Sequence, residues 1–147
     1  MFKKILVATD GSPLSDKAVE NAIELARQHR AELVVFTVAR RLPKSYMDGS
    51  TVRESVENDS LDKQRLANAQ ALVAAIGERA SGHGVSCHPL VAHSNQVAES
   101  IIAAAEKQAC DLIVMASHGR KGLGRLLIGS ETQHVLTHST LPVLVLR

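Results

Sequence analysis

Five short aliphatic runs alternate with four stretches whose apolar residues recur at helical spacing, and this alternation constrains the chain more than any other feature. The runs are Ile5–Ala8, Leu33–Val38, Val85–Val91, Leu112–Met115 and Pro142–Leu146. Continuous apolar runs of this length suit strands buried on both faces. Between the first two, Ser12 and Pro13 make a helix start, with serine at the cap and proline at the first helical position. Ala18, Val19, Ala22, Ile23, Leu25 and Ala26 then share one face. Residues 61–80 carry a second stripe of Leu66, Ala69, Val73, Ile76 and Ala80. A third helix is expected from a cap at Ser94 or Asn95 to about Gln108, with Ala98, Ile101, Ile102 and Ala105 inward. A fourth is expected from Ser130 to about His138, where Ser130 and Gln133 have the spacing of a capping box. Residues 40–60 are polar, contain Pro43, Gly49 and Ser50, and read as a mobile loop.

Strands alternating with helices imply a parallel sheet with helices on both faces and right-handed crossovers. A length of 147 residues fits one domain able to hide roughly two-thirds of its unfolded surface. The expectation is therefore an α/β fold, a single-domain, doubly wound, five-stranded parallel sheet. Pro89 places the third strand at an edge or near its own end. Ligands of such sheets bind beyond the carboxyl ends of the strands, at the switch point in strand order. That rule selects Ala8–Ser12, Val38–Arg41 and Ala116–Ser130.

Composition removes other classes. Three rings (Phe2, Phe36 and Tyr46) leave no rows of stacking platforms for nucleic acid. A net charge of +2 is too balanced for a general DNA or membrane-surface binder. No segment approaches the roughly 20 apolar residues of a membrane span. The start, MFKKILVATDG, reads as a first strand and not as a leader peptide. Cys87 and Cys110 lack metal spacing and read as reduced, buried thiols of a cytoplasmic protein. Apart from His118, the six remaining histidines read as dispersed, with none paired at metal-ligand spacing.

The segment Ala116–Ser130 carries the chemistry. Four glycines and three cations, Arg120, Lys121 and Arg125, lie between a strand and a helix. Glycines let main-chain N–H groups approach a ligand, and the helix opening at Ser130 presents free N–H groups and a positive dipole end. These are the parts of a phosphate site. The spacing is neither that of a P-loop, which needs Lys-Ser/Thr after its last glycine, nor that of the GxGxxG dinucleotide motif. Asp10 suits an Asx turn before the first helix, or a ribose or metal ligand. His118 suits a solvated loop, or a phosphate or base contact. Ser117 and His118 are neighbours, but no GxSxG elbow or acidic partner makes them a hydrolase triad.

The start Ile-Leu-Val-Ala-Thr-Asp-Gly-Ser and the end Asp-Leu-Ile-Val-Met-Ala-Ser-His-Gly-Arg, Leu-Leu-Ile-Gly-Ser-Glu-Thr and Leu-Pro-Val-Leu-Val-Leu resemble the universal stress protein family over nearly the whole chain. The resemblance implies the strand order 3-2-1-4-5, which separates Cys87 from Cys110 by two strands, beyond disulfide reach. It also implies an adenine nucleotide site, ATP with Mg²⁺. The family's binding pattern is glycine, two residues, glycine, nine residues, then glycine with serine or threonine. Gly119, residues 120–128 and Gly129-Ser130 match its second and third parts, and Ala116 replaces the first glycine. Alanine is tolerable there if φ is negative and a methyl group has room. By resemblance Asp10 would meet the ribose or a nucleotide-bound Mg²⁺. The main chain of Val38 would pair with adenine beside Ala8 and Thr9. Gly119, Arg120, Gly122, Gly129, Ser130 and Thr132 would surround the phosphates, with Ala116, Ser117, His118 and Glu131 completing the set. Adenine would rest on aliphatic side chains, since no ring is placed to stack on it.

The resemblance further implies a homodimer through the last strand. Val143 to Leu146 form a bare apolar strand near the end of this sequence, which needs cover if it lies at a sheet edge. Two functions follow: an ATP-binding stress-response module with slow or no hydrolysis, and a relative without nucleotide that acts as a dimeric interaction or chaperone-like protein. No residue stands out as an activator of water, so enzyme activity is at most a weak ATPase.

Overall fold

A computed structural model of the chain describes residues 1–43, 52–120 and 127–147. The elements run β1 (Lys4–Ala8), α1 (Pro13–His29), β2 (Glu32–Ala39), α2 (Val52–Gly82), β3 (Cys87–His93), α3 (Val97–Lys107), β4 (Leu112–Ala116), α4 (Ser130–His138) and β5 (Val143–Leu146). All strand pairs are parallel, in the order β3-β2-β1-β4-β5. The expected doubly wound α/β sheet and its strand order are thus both present.

The sheet holds because its central strands bury both faces. Ile5, Leu6 and Val7 of β1 have no exposed surface, and neither do Val34 and Val35 of β2 or Ile113 and Val114 of β4. Alternate residues feed two cores. One side carries Ile5, Val7, Leu33, Val35 and Val114 against Ala18, Ala22 and Ala26 of α1 and Val73, Ile76 and Ala80 of α2. The other carries Leu6, Val34, Phe36, Ile113 and Met115 against Ala98, Ile101 and Ala105 of α3 and Val135 of α4. Small alanines on the helices let them sit close to a sheet of branched side chains. Helix α1 begins where the sequence places it: the Ser12 hydroxyl accepts the Ser15 N–H, and Pro13 opens the helix. Pro89 lies on β3, an edge strand, as its missing N–H requires.

Four local expectations are corrected. Residues 52–60 belong to α2 and not to a loop; residues 44–51 of the expected loop 40–60 lie outside the described residues. The first turns of α2 bury nothing, with Val52 and Val56 83% and 62% exposed, so no apolar stripe marks them. Helix α3 starts at Val97 with Gln96 as its uncapped N-cap, not at Ser94 or Asn95. Ser94 Oγ accepts the Gln96 N–H, and Asn95 Oδ1 accepts the Arg41 N–H, so both side chains are used in the approach to the helix. The Ser130–Gln133 capping box does not form, because Gly129 is the N-cap and Ser130 is the first helical residue. Strand β3 spans Cys87–His93, two residues later at each end than the run Val85–Val91. Val85 instead donates its N–H to Ala80 O as the chain leaves α2.

Both cysteines are free, Cys110 buried and Cys87 half-buried, and β2 and β1 separate β3 from β4. Burial pushes the Cys110 thiol up to about 11 from 9.0, roughly a hundredfold loss of thiolate near neutral pH. Cys110 is therefore expected to react with iodoacetamide about a hundredfold more slowly in the native protein than in urea, which timed alkylation followed by peptide mass spectrometry measures. Equal rates would contradict the burial.

Candidate functional site

Strands β1 and β4 are neighbours whose connections leave in opposite directions. The chain after β1 passes through α1 to β2, and the chain after β4 passes through α4 to β5. A crevice therefore opens beyond their carboxyl ends. Thr9–Ser12 form one wall and Ser117–Arg120 the other.

Asp10 joins the walls. Its Oδ1 accepts the Ser12 N–H at 2.9 Å, an Asx turn, and its Oδ2 accepts the Arg120 N–H at 2.9 Å from across the crevice. Burial alone would raise its pKa, but the Ser12 and Ser15 hydroxyls and the Ser12 and Arg120 amides favour the carboxylate and bring it below the ordinary value. The local and the cross-crevice roles coexist. Thr9 is buried; its hydroxyl accepts the Gly11 N–H and lies 3.0 Å from Ser15 Oγ, while its carbonyl accepts the Thr37 hydroxyl at 2.6 Å. The turn after β1 is thereby fixed to both α1 and β2.

The second wall is pinned at its ends. Ser117 donates its N–H to Leu146 O and accepts the Gly129 N–H, both at 2.7 Å, which ties the start of the glycine-rich loop to its finish. His118 is half-buried with Nδ1 3.1 Å from Ser117 Oγ. At Gly119 an added Cβ would collide with Asp10 Oδ2, so only glycine lets the chain pass this carboxylate. The Arg120 guanidinium lies over the opposite turn, 3.0 Å from where a Cβ on Gly11 would stand. At Gly129 an added Cβ would meet the His118 Cα at 3.3 Å.

Helix α4 opens into this region without a side-chain cap on Gly129. The N–H groups of its first turn have no partners within the helix. Ser130 is exposed there. Thr132 is buried and donates its hydroxyl to Ala116 O at 2.9 Å, holding α4 to the end of β4. Glu131 turns to α3: Oε2 accepts the Ala98 N–H at 2.9 Å, and Oε1 lies 3.7 Å from Arg40 Nη2. Glu131 therefore supplies the cap that Gln96 does not. Ala116 has no left-handed backbone, and its methyl lies in the α1-side core.

Ala8 ends β1, opposite Phe36. Phe36 O accepts the Thr9 N–H, whereas Ala39 O accepts the Ser94 N–H on the β3 side. By the alternation of a parallel ladder, Val38 directs its main chain to the Phe36 side, past the last residue of β1. The candidate residues Ala8, Thr9, Asp10, Val38, Ala116, Ser117, His118, Gly119, Arg120, Gly129, Ser130, Glu131 and Thr132 all stand at this edge of the sheet or on the elements flanking it. Gly122 lies outside the described residues, among residues 121–126. Two surface clefts of about 280 and 270 Å³ lie elsewhere, beside Arg79 and His83 and beside Leu90 and Lys107.

Sequence reasoning missed Arg40, Ser15 and Thr37, whose partners are set by tertiary packing. It also missed a histidine pair: contrary to the expectation of dispersed histidines, His134 and His138 stand four apart on α4, with ring centroids 4.2 Å apart. The signal was their spacing of one helical turn on an expected helix.

The fold and this crevice define a doubly wound α/β protein with a glycine-rich loop after its fourth strand. The model of the universal stress protein family matches residues 1–147. The universal stress protein YxiE of Bacillus subtilis is 32% identical, with both chains covered completely. The solved structure of MJ0577, a universal stress protein of Methanocaldococcus jannaschii, superposes with a TM-score of 0.81 and 27% identity over 99% of this chain and 96% of that one. A universal stress protein solved in complex with cAMP shares the fold, with a TM-score of 0.67 and 23% identity over 99% and 97% of the two chains. The chain belongs to the universal stress protein family. No described helix is long and apolar enough to cross a membrane.

Proposed function

We propose that the crevice between β1 and β4 binds ATP with Mg²⁺ and that the chain works as a nucleotide-dependent stress-response module, with slow or no hydrolysis. The observation that carries this reading is the uncapped start of α4 at the carboxyl edge of the sheet. Its first-turn N–H groups and dipole end suit a phosphate chain. The residues present fit the group. Gly119 and Gly129 keep side chains out of the gap between the walls. The Ala116 methyl goes into the core and not into the crevice, so the glycine it replaces is not needed for space. Asp10 is a carboxylate whose oxygens retain lone pairs for a ribose hydroxyl or a Mg²⁺ water. The main chain of Val38 offers adenine a hydrogen-bonding edge. Bound there, the nucleotide would supply negative charge that Arg120 and the α4 N-terminus offset. The cAMP-bound relative supports adenine-nucleotide recognition on this fold.

Amide chemical-shift mapping with ATP-Mg tests the placement. Changes should concentrate at residues 9–12, 38–40, 117–120 and 129–132. Changes elsewhere alone, or none, would contradict it.

The same reading makes the chain a homodimer through β5. This strand lies at the edge of the sheet, and Leu144 on it is 39% exposed. Pairing with a second β5 would cover its free main-chain groups.

A further inference from the structure

We propose, on the nucleotide reading of the crevice, that Arg40 is a positioning residue of that site: with the amino end of α3 it draws the Glu131 carboxylate off the start of α4 and leaves that start open to phosphate. Glu131 follows Ser130 and is the acid of the first turn of α4. An acid in a first turn is attracted to the free N–H groups and positive dipole end of its own helix. There it would take the place that the crevice offers to an anion. Among the described residues its oxygens go elsewhere. Oε2 accepts the Ala98 N–H of α3 at 2.9 Å, and Oε1 faces Arg40 Nη2 at 3.7 Å.

The two holds come from different elements. Helix α3 has no side-chain cap from Gln96, so its first-turn N–H groups are open to an acid from elsewhere. Arg40 follows directly after β2. Side chains alternate along a strand, and Phe36 and Val38 of β2 face the core beneath α3. Arg40 continues that row, which brings its guanidinium up beside α3 and α4. Arg41 is committed to the β3 side, where its N–H donates to Asn95 Oδ1 at 2.9 Å and its Nε–H to His93 O at 3.0 Å. The Arg40 and Glu131 side chains are 53% and 42% exposed, and an ion pair this open adds little to stability. Its consequence is where the negative charge sits. A carboxylate free to swing over the start of α4 would repel a phosphate chain, whereas one held on Arg40 and α3 is partly neutralised and kept aside.

The test is calorimetric titration of ATP-Mg into the nucleotide-free full chain as wild type, Arg40→Gln, Glu131→Gln and the double variant, with far-UV circular dichroism establishing that all four are folded. Arg40→Gln should bind ATP about fivefold more weakly than wild type, and this loss should shrink between about 0.05 and about 0.5 M NaCl. Glu131→Gln should bind at least as tightly as wild type, since its amide oxygen still accepts the Ala98 N–H. Adding Arg40→Gln to Glu131→Gln should change the affinity less than about twofold, because no carboxylate is left to hold. Wild-type affinity in Arg40→Gln would overturn the role of Arg40, as would a loss that ignores salt. An equal loss in both backgrounds would overturn it too, because Arg40 would then act without Glu131. Weaker binding by Glu131→Gln would make the carboxylate itself a ligand and overturn the proposal. No ATP binding by any of the four proteins would instead remove the nucleotide reading, and the role of Arg40 with it.

Discussion

Gly119→Ala is expected to weaken ATP binding at least about tenfold and to lower stability by about 1–2 kcal/mol, the worth of the hydrogen bond it breaks. The new Cβ collides with Asp10 Oδ2, so either the carboxylate rotates away or the loop backs off. Both movements separate Asp10 from the Arg120 N–H, the bond that holds the two walls together. Asp10→Asn should give the same loss without added bulk, because an amide NH₂ cannot accept the Arg120 N–H. Acidification supplies an internal check. The folded pKa of Asp10 is lowered, so its contribution to stability is present above the ordinary carboxylate value and is lost as the pH falls through the folded one. Asp10→Asn should therefore cost more stability at pH 7 than at about pH 2. Titration calorimetry and denaturant melts read these effects, and wild-type affinity in both variants would remove Asp10 and Gly119 from the site.

Phe36→Ala is expected to cost about 3–5 kcal/mol, a large share of the roughly 5–15 kcal/mol that holds a typical domain. Phe36 is 1% exposed, sits on β2 inside the sheet and packs into the core beneath α3. With only two phenylalanines in the chain, aliphatic neighbours must close around the void. Urea unfolding measures the loss. A change below about 1 kcal/mol would mean that the core relaxes freely, contrary to its packing.

The fold was largely legible because buried parallel strands read as apolar runs. Ile5–Ala8 and Leu112–Met115 fall within β1 and β4. The Ser12-Pro13 start of α1 was legible because capping is local chemistry. The first turns of α2 were not, because that stretch faces solvent all round and periodicity has nothing to mark there. Its support is of another kind, such as the Arg53–Glu57 ion pair one turn apart. The start of α3 was misplaced because its cap, Glu131, comes from α4, 33 residues away.

The candidate site divides along the same line. The glycine-rich loop and Asp10 were visible as residue types between a strand and a helix. The bond that unites them was not, since Asp10 and Arg120 are 110 residues apart in sequence and meet only when β1 and β4 pair. Glu131 shows the limit of carrying a motif over by position. It stands next to Ser130, yet its carboxylate serves α3 and Arg40. The fate of Ala116 likewise depended on which face of β4 its methyl takes, and that became clear only once the sheet was assembled.

Titration of nucleotide-free protein with ATP-Mg, after HPLC of any nucleotide released on denaturation, tests the central claim most directly. The crevice predicts an adenine nucleotide in the released fraction or saturable heat at one site per chain, with a matching rise in melting temperature. An empty released fraction, no heat and no melting shift at millimolar ATP-Mg would contradict it.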